Sequence, residues 1–280
     1  MRELTLKAHA KINLFLYILG KRPDGYHSIL TLFQKISLHD KIYFQWERGR
    51  RDIRLQCEGE ETPHDSSNLV YRAADAFMDM SQQAFSLKIR LLKNIPVGGG
   101  LGGGSSDAAI ILKTMNSIAG APLALDNLRK IAGQLGADVP FFFLDAPSAI
   151  GSGIGDELRP VDVPRKWYVL ATPPFGVSTK WAYENSVLTS REPGTILNGS
   201  KVFATSYWHN DFEAKVFKKY PELARIKQTF IESGSEASML SGSGSTVFGV
   251  FSSRSKAEVA LDLIQKSDKN LRVFITKALS

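Results

Sequence analysis

Residues 96–109 read PVGGGLGGGSSDAA, with six glycines around a single leucine, directly ahead of the helix-like run IILKTMN. Glycine admits positive φ and has no side chain to hold a ligand away from the main chain. At a helix start the first N–H groups lack intrahelical partners, and the helix dipole favours negative charge there. A bare loop feeding a helix is therefore an anion cradle. Its members here are Pro96, Val97, Gly98, Gly99, Gly100, Leu101, Gly102, Gly103, Gly104, Ser105 and Ser106. A tightly packed glycine turn is the competing reading. Ser105, Ser106 and Asp107 close the loop, and their hydroxyls could meet phosphate or Mg²⁺ or cap the helix.

Three glycine-loop chemistries can be tested on the spacing. A Walker A loop ends in Gly-Lys-Ser/Thr, whereas Gly104 is followed by Ser105. Gly98, Gly100 and Gly103 satisfy GxGxxG, but a dinucleotide fold needs an acidic residue at a second strand end about twenty positions on. The residue available is Asp126, at a helix start. The lysine strand, HRD and DFG of protein kinases are absent from the sequence.

The elements that must hold this loop begin with an unusually long alternation. Leu4, Leu6, Ala8, Ala10, Ile12, Leu14, Leu16 and Ile18 share one face of an extended chain, and Lys7, His9, Lys11 and Asn13 take the other. Such a length exceeds a typical strand, so a bulge or break is expected within it. GKRPDG is a turn, and YHSILTLFQKISL is again extended. Asp65 or Ser66 is expected to cap a helix over NLVYRAADAFMDM, with Leu69, Ala73, Ala76, Phe77 and Met80 on its apolar face. The strand FSLKIRLLKN leads into Pro96, and the helix behind the loop is expected from about Ser106 to Ile118. DNLRKIAGQL forms the next helix, with Gly136 as a left-handed C-cap, followed by ADVPFFFL.

GSGIGDELRPVDVPR, residues 151–165, marks a junction that divides residues 1–155 from 156–280. Beyond it KWYVLATP reads as a strand, Asn210 and Glu213 form a capping-box pattern, and Pro221 opens a helix. SMLSGSGSTVFGVF reads as strand, small-residue turn and strand. Ser255 and Glu258 form a second capping-box pattern, and LRVFITKA closes as a strand. This mixture predicts an α+β sandwich architecture.

The chain has 280 residues, 43% of them hydrophobic, and a net charge of +7, which favours anionic partners, either nucleic acid or phosphorylated small molecules. The densest basic cluster, Arg48, Arg50, Arg51 and Arg54, reads as a solvated loop between strands. Cys57 is the sole cysteine, which excludes an internal disulfide. A reducing cytoplasm is expected, with no membrane span and no signal or transit segment. No His/Asp/Glu spacing suggests a dedicated metal cage, and no motif bears on oligomeric state.

PVGGGLGGGSSDAA, AKINLFLYILGKRPDGYHSI at residues 10–29 and SGSGSTVFGVF at 241–251 together resemble the GHMP kinase superfamily. With GADVPFF at 136–142, the sequence is similar, over essentially its whole length, to the branch that phosphorylates a methylerythritol carrying a cytidine diphosphate. That branch serves the non-mevalonate isoprenoid pathway. One departure is Gly99, where the branch usually has alanine; an N–H donor is not lost. The resemblance implies an N-terminal ribosomal-S5-like α/β sandwich, which would hold substrate and ATP phosphates, and a C-terminal ferredoxin-like α+β domain. It implies ATP with Mg²⁺ as cofactor, the ion arriving largely with ATP, and phosphoryl transfer to a tertiary alcohol.

Asp138 is then the implied base, where the residues alone also allow a capping aspartate, and Lys11 the implied cation beside the reacting hydroxyl. The resemblance assigns Tyr26 to stacking on cytosine, His27 to its polar edge, and Tyr183 to a second stacking face, with Trp181 as a competitor. Asn13 and Thr179 are implied polar contacts to the substrate. SGSGSTVF would approach the phosphate site through Gly242 and Gly244, or be only a tight turn. A homoserine or phosphomevalonate type of GHMP kinase is the nearer alternative, and the DGYH block argues against it. A nucleic-acid-binding module is the remote alternative, because it would require neither Lys11 and Asp138 nor a cytosine-reading block.

Overall fold

The computed structural model describes residues 2–189 and 203–280. The chain forms two compact units that interleave along the sequence: residues 1–10, 38–97 and 102–145 make one, and residues 11–37, 98–101 and 146–280 the other. Two long strands, β1 (Arg2–Lys21) and β2 (His27–Arg48), contribute to both units and pair with each other.

In the first unit the second half of β2 pairs antiparallel with β4 (Phe85–Lys93), Phe44 opposite Ile89. β3 (Asp52–Gly59) pairs parallel with β4, Leu55 opposite Ile89. A parallel pair needs a crossover, and α1 (Leu69–Ser81) supplies it. Ile42, Phe44, Trp46, Phe85, Leu87, Ile89 and Leu91 alternate into the core, as period-two burial requires. α1 packs on α2 (Gly103–Ile118), and α2 in turn on α3 (Leu125–Leu135) and α4 (Val139–Phe143).

The second unit contains an antiparallel sheet in the order β10-β7-β9-β8, from Arg272–Lys277, Trp167–Thr172, Val247–Phe251 and Ala237–Leu240. Between these strands run α5 (Thr179–Asn185), α6 (Glu213–Lys219), α7 (Pro221–Glu232) and α8 (Arg254–Ser267). Val169, Phe212, Phe230, Phe251 and Ile264 are buried in its core. The first half of β2 pairs with β5 (Ser148–Ser152), which turns back into β6 (Glu157–Pro160). The Gly/Pro-rich stretch after residue 150 therefore contributes a hairpin. Among the described residues no helix is long and apolar enough to cross a membrane.

Several local expectations change. β1 is one continuous strand of 20 residues. Its polar positions Lys11 and Asn13 are as buried as their apolar neighbours, so both faces are covered over that stretch. α1 is capped by Asn68, whose Oδ1 accepts the Val70 N–H at 2.9 Å; Asp65 instead accepts from the Ser67 N–H and hydroxyl. The buried stripe of α1 is Val70, Ala73, Ala74, Phe77 and Met78. α2 starts at Gly103, inside the glycine loop, and Gly136 is extended (φ 166°) rather than left-handed.

Neither capping box forms. Glu213 turns to the Leu240 N–H and to Lys227, and α8 is capped by Ser253 while Glu258 pairs with Arg254. The arginine cluster runs from the end of β2 into β3 and is largely engaged: Arg51 bridges Asp75 and Asp79 of α1, Arg54 pairs with Asp52, and Arg48 reaches the Ile118 carbonyl.

Asn68→Ala should cost about 1–2 kcal/mol, the typical loss of an N-cap, whereas Ser66→Ala should stay within about 0.5 kcal/mol. Urea denaturation of both variants checks this, and equal losses would return the cap to the segment before Asn68.

Candidate active site

In the second unit β1 docks onto the glycine loop: the Lys11 N–H donates to the Leu101 carbonyl at 2.9 Å. The Lys11 ammonium is buried, donates to Asn13 Oδ1 at 2.8 Å, and lies 5.4 Å from the centre of the Phe33 ring. Asn13 donates to Thr31 Oγ1 at 2.8 Å, and Thr31 donates to the Phe15 carbonyl at 2.7 Å. A relay of buried hydrogen bonds thus fixes both side chains in one orientation.

The β8–β9 turn closes on the same loop. Ser241 Oγ donates to the Gly100 carbonyl at 3.0 Å, and the Thr246 N–H donates to the Gly99 carbonyl at 3.2 Å. Gly100 (φ +74°) has no room for a side chain, because a Cβ there would collide with the Ser241 carbonyl oxygen. The turn is itself gripped. Asn210 Nδ2 donates to the carbonyls of Leu240 and Gly242, both at 2.8 Å, and Ser245 Oγ donates to Phe175 O at 2.6 Å. Thr179 and Ser243 join hydroxyl to hydroxyl at 3.0 Å. Close approach, one of the two readings of SGSGSTVF, is therefore observed, and Gly100 is the glycine that it most demands.

The aromatic residues assemble in the same unit. A turn in which Arg22 N–H donates to Tyr26 O at 2.8 Å leaves the Tyr26 ring 60% exposed. His27 stacks on Tyr183, with centroids 5.0 Å apart and planes 21° from parallel, and Tyr183 meets Phe212 edge-on. Burial, then Lys21, holds the His27 imidazole below its ordinary pKa, favouring a neutral ring. Trp181 is engaged elsewhere, 3.9 Å under the Lys219 ammonium.

In the first unit, Gly102 (φ +67°) is the N-cap of α2, and the Ser106 N–H donates to its carbonyl at 2.9 Å. The N–H groups of Gly103, Gly104 and Ser105 precede that bond and stand at the positive end of the helix. Ser105 Oγ lies 3.9 Å from where a Cβ on Gly136 would be, which brings the loop exit beside the segment carrying Asp138. Asp138 occupies the N-cap position of α4 without a side-chain capping bond, and it is half-buried. The residues that follow it in α4, Val139, Phe141, Phe142 and Phe143, are all buried.

A buried ionic cluster beneath this loop is not among the features expected from the sequence. Lys93, at the end of β4, contacts the carboxylates of Asp40 and Asp107, the latter at 2.8 Å. Asp40 Oδ1 accepts the N–H groups of Asn94 at 2.6 Å and Ile95 at 2.8 Å. Asp107 Oδ1 is buried without a partner among the described residues. Burial pushes the Asp107 carboxyl up to about 7, against the pull of Lys93 and with the help of Asp40. Burial alone would lower the Lys93 ammonium, but the two carboxylates outweigh it and hold the group above its usual value.

The model of the GHMP kinase N-terminal domain matches residues 68–146, and that of the GHMP kinase C-terminal domain matches residues 201–269. A homoserine kinase from Cytophaga hutchinsonii shares the fold, with a TM-score of 0.75 at 17% identity over 100% of this chain and 95% of its own. The fold and these matches define a GHMP-type kinase, a phosphotransferase with the two-domain α+β fold of that class.

A crystal structure of 4-(cytidine 5'-diphospho)-2C-methyl-D-erythritol kinase aligns with a TM-score of 0.84 and 30% identity, over 99% of this chain and 100% of that one. The 4-diphosphocytidyl-2-C-methyl-D-erythritol kinase of Syntrophotalea carbinolica is 42% identical over 91% of this chain and 92% of its own. The chain belongs to this family of kinases.

Because folding raises the Asp107 pKa from 3.8 to about 7, the fold favours the protonated acid. That contribution is complete below pH 3.8 and is lost as pH rises through about 7. Asp107→Asn should therefore be more stable than the wild type at about pH 8, with the gap narrowing towards about pH 5. Melting temperatures of both proteins across this range check it; parallel curves would remove Asp107 as the titrating group.

Proposed function

We propose that this kinase transfers the γ-phosphate of ATP to the 2-hydroxyl of 4-diphosphocytidyl-2-C-methyl-D-erythritol, in the cytoplasmic supply of isoprenoid precursors. The observation that carries this substrate choice is the aromatic set of the second unit, the exposed Tyr26 next to His27 stacked on Tyr183. A flat, π-faced acceptor on an exposed ring suits a nucleobase, for which stacking supplies about 1–3 kcal/mol. A neutral His27 can both donate to and accept from a pyrimidine edge. Asn13 and Thr179 are proposed as further polar contacts to the acceptor.

In this reading the loop from Pro96 to Ser106 receives the ATP phosphates through main-chain N–H groups. Asp138 orients or deprotonates the acceptor hydroxyl, and Lys11 supplies positive charge as the phosphoryl group moves. Mg²⁺ would travel on ATP and neutralise its phosphates. Among the described residues no cluster of three or more His, Cys, Asp or Glu side chains occurs that could hold a metal ion. Asp107 faces Lys93, which leaves the Ser105 and Ser106 hydroxyls as the loop's oxygen donors.

ADP release with the diphosphocytidyl acceptor, against homoserine and mevalonate at equal concentration, tests the substrate. Selective turnover of the first is expected, and preference for either of the others would reject the assignment. Asp138→Asn should lower kcat by about 10²–10⁴-fold with little change in ATP affinity. Near-full turnover in that variant would remove Asp138 from the chemistry. Tyr26→Ala should raise KM for the acceptor by about tenfold or more while sparing the ATP term. An equal rise in both would mean that Tyr26 supports the fold and not the base.

A further inference from the structure

Lys93 stands at the point where β4 gives way to the glycine loop. Its ammonium contacts Asp40, which also holds the Asn94 and Ile95 N–H groups on the way into the loop. It contacts Asp107 at 2.8 Å, near the start of the helix that leaves the loop. A Cβ on Gly103 would stand 3.1 Å from Lys93 Nζ and 3.0 Å from Ile95 Cγ2, so the bare backbone of Gly103 lies directly against both. The strand entering the loop and the helix leaving it are fastened to one buried cation.

Stability alone gives little reason for this arrangement. Two carboxylates on one ammonium carry an excess negative charge, and Asp107 Oδ1 has no partner among the described residues. Replacing such buried ionic groups by well-packed apolar residues is often neutral or stabilising. The cluster supplies instead a fixed geometry of charge-assisted bonds at both ends of a segment made largely of glycine.

We propose that Lys93 is a positioning residue for the ATP site, acting through Asp40 and Asp107 to hold the loop's N–H groups in their anion-receiving arrangement before ATP arrives. This rests on the reading of that loop as the ATP-phosphate cradle. The effect falls on the nucleotide and not on the acceptor, because the groups that Lys93 fastens are the loop's entry and exit.

The test is calorimetric titration of ATP into the full-length protein without acceptor, together with separate KM values for ATP and acceptor, for the wild type and Lys93→Met. The variant should lose about tenfold or more in ATP affinity, the scale of a lost charge-assisted hydrogen bond, with acceptor KM within about twofold. Folded Lys93→Met with unchanged ATP affinity, or with equal rises in both KM values, would overturn the proposal. Where Lys93→Met alone does not fold, Lys93→Met/Asp107→Asn, which keeps the net charge that the cluster has with Asp107 ionised, carries the same expectation at about pH 8.

Amide exchange of the ATP-free wild type gives a measurement that no variant can spoil. Protection is expected at Asn94, Ile95 and Ser106, whose N–H groups are hydrogen-bonded at the entry to and exit from the loop, and exchange there at unstructured-chain rates would reject the proposal. A wild type that binds no ATP would overturn the cradle reading and this inference together. Failure of the inference alone is distinct, because wild type and variant would then bind ATP equally.

Discussion

A loop that must offer its backbone to an anion cannot also be held by its own side chains. That conflict governs how this chain is built around residues 96–106. Glycine solves the approach problem and creates an ordering problem, since each glycine loses more conformational freedom on folding than any other residue. The restraint has to come from neighbours. In the second unit it comes from main-chain and hydroxyl contacts: the Lys11 N–H on Leu101, Ser241 Oγ on Gly100 and the Thr246 N–H on Gly99. In the first unit it comes from the helix that begins at Gly103 and from the Lys93 cluster behind it.

This division of labour explains why certain polar residues are buried where sequence patterning alone would expose them. The long alternation of β1 predicts a dry face and a wet one, yet Lys11 and Asn13 are as buried as Ile12 and Leu14. Burying a lysine and an amide costs free energy unless their hydrogen bonds are met. The Lys11–Asn13–Thr31–Phe15 relay meets them. Both side chains are thereby desolvated and fixed in one orientation, so in the roles proposed for them less reorganisation would remain at the moment of reaction.

The legible part of the sequence was that in which period and spacing carry the signal: the strands of the second half, the Pro221 helix, the β8–β9 turn and the glycine loop ahead of its helix. Cap positions were less legible because several residues compete for each helix start. Asn68 prevails over Asp65, and Glu213 leaves its capping role for a tertiary partner in Leu240. The Lys93 cluster was the least legible feature of the site region. Asp40, Lys93 and Asp107 are far apart in sequence, and each taken alone reads as an ordinary surface charge. Only the pairing of β2 with β4, followed by the return of the chain through the loop into α2, brings them together. A lysine at the end of an alternating strand, three residues before a proline and a glycine run, was the available hint.

The loop lacks the terminal lysine of a Walker motif, and the two lysines at its borders differ in what they can contribute. Lys93 is matched by two carboxylates inside the fold, so its positive charge is already cancelled before any phosphate approaches. From a distance an anion meets a cluster that is neutral when Asp107 holds a proton and negative otherwise. What remains of Lys93's influence is geometric: it determines where Gly103 and the N–H groups beyond it stand. The charge that offsets the migrating phosphoryl group must then come from another residue, and Lys11, which touches the loop through its main chain at Leu101, is the one proposed for it. Separating the anchoring charge from the reacting charge lets each be buried on its own terms. The anchor can be saturated with partners, while the reacting cation keeps an orientation set by a neutral amide.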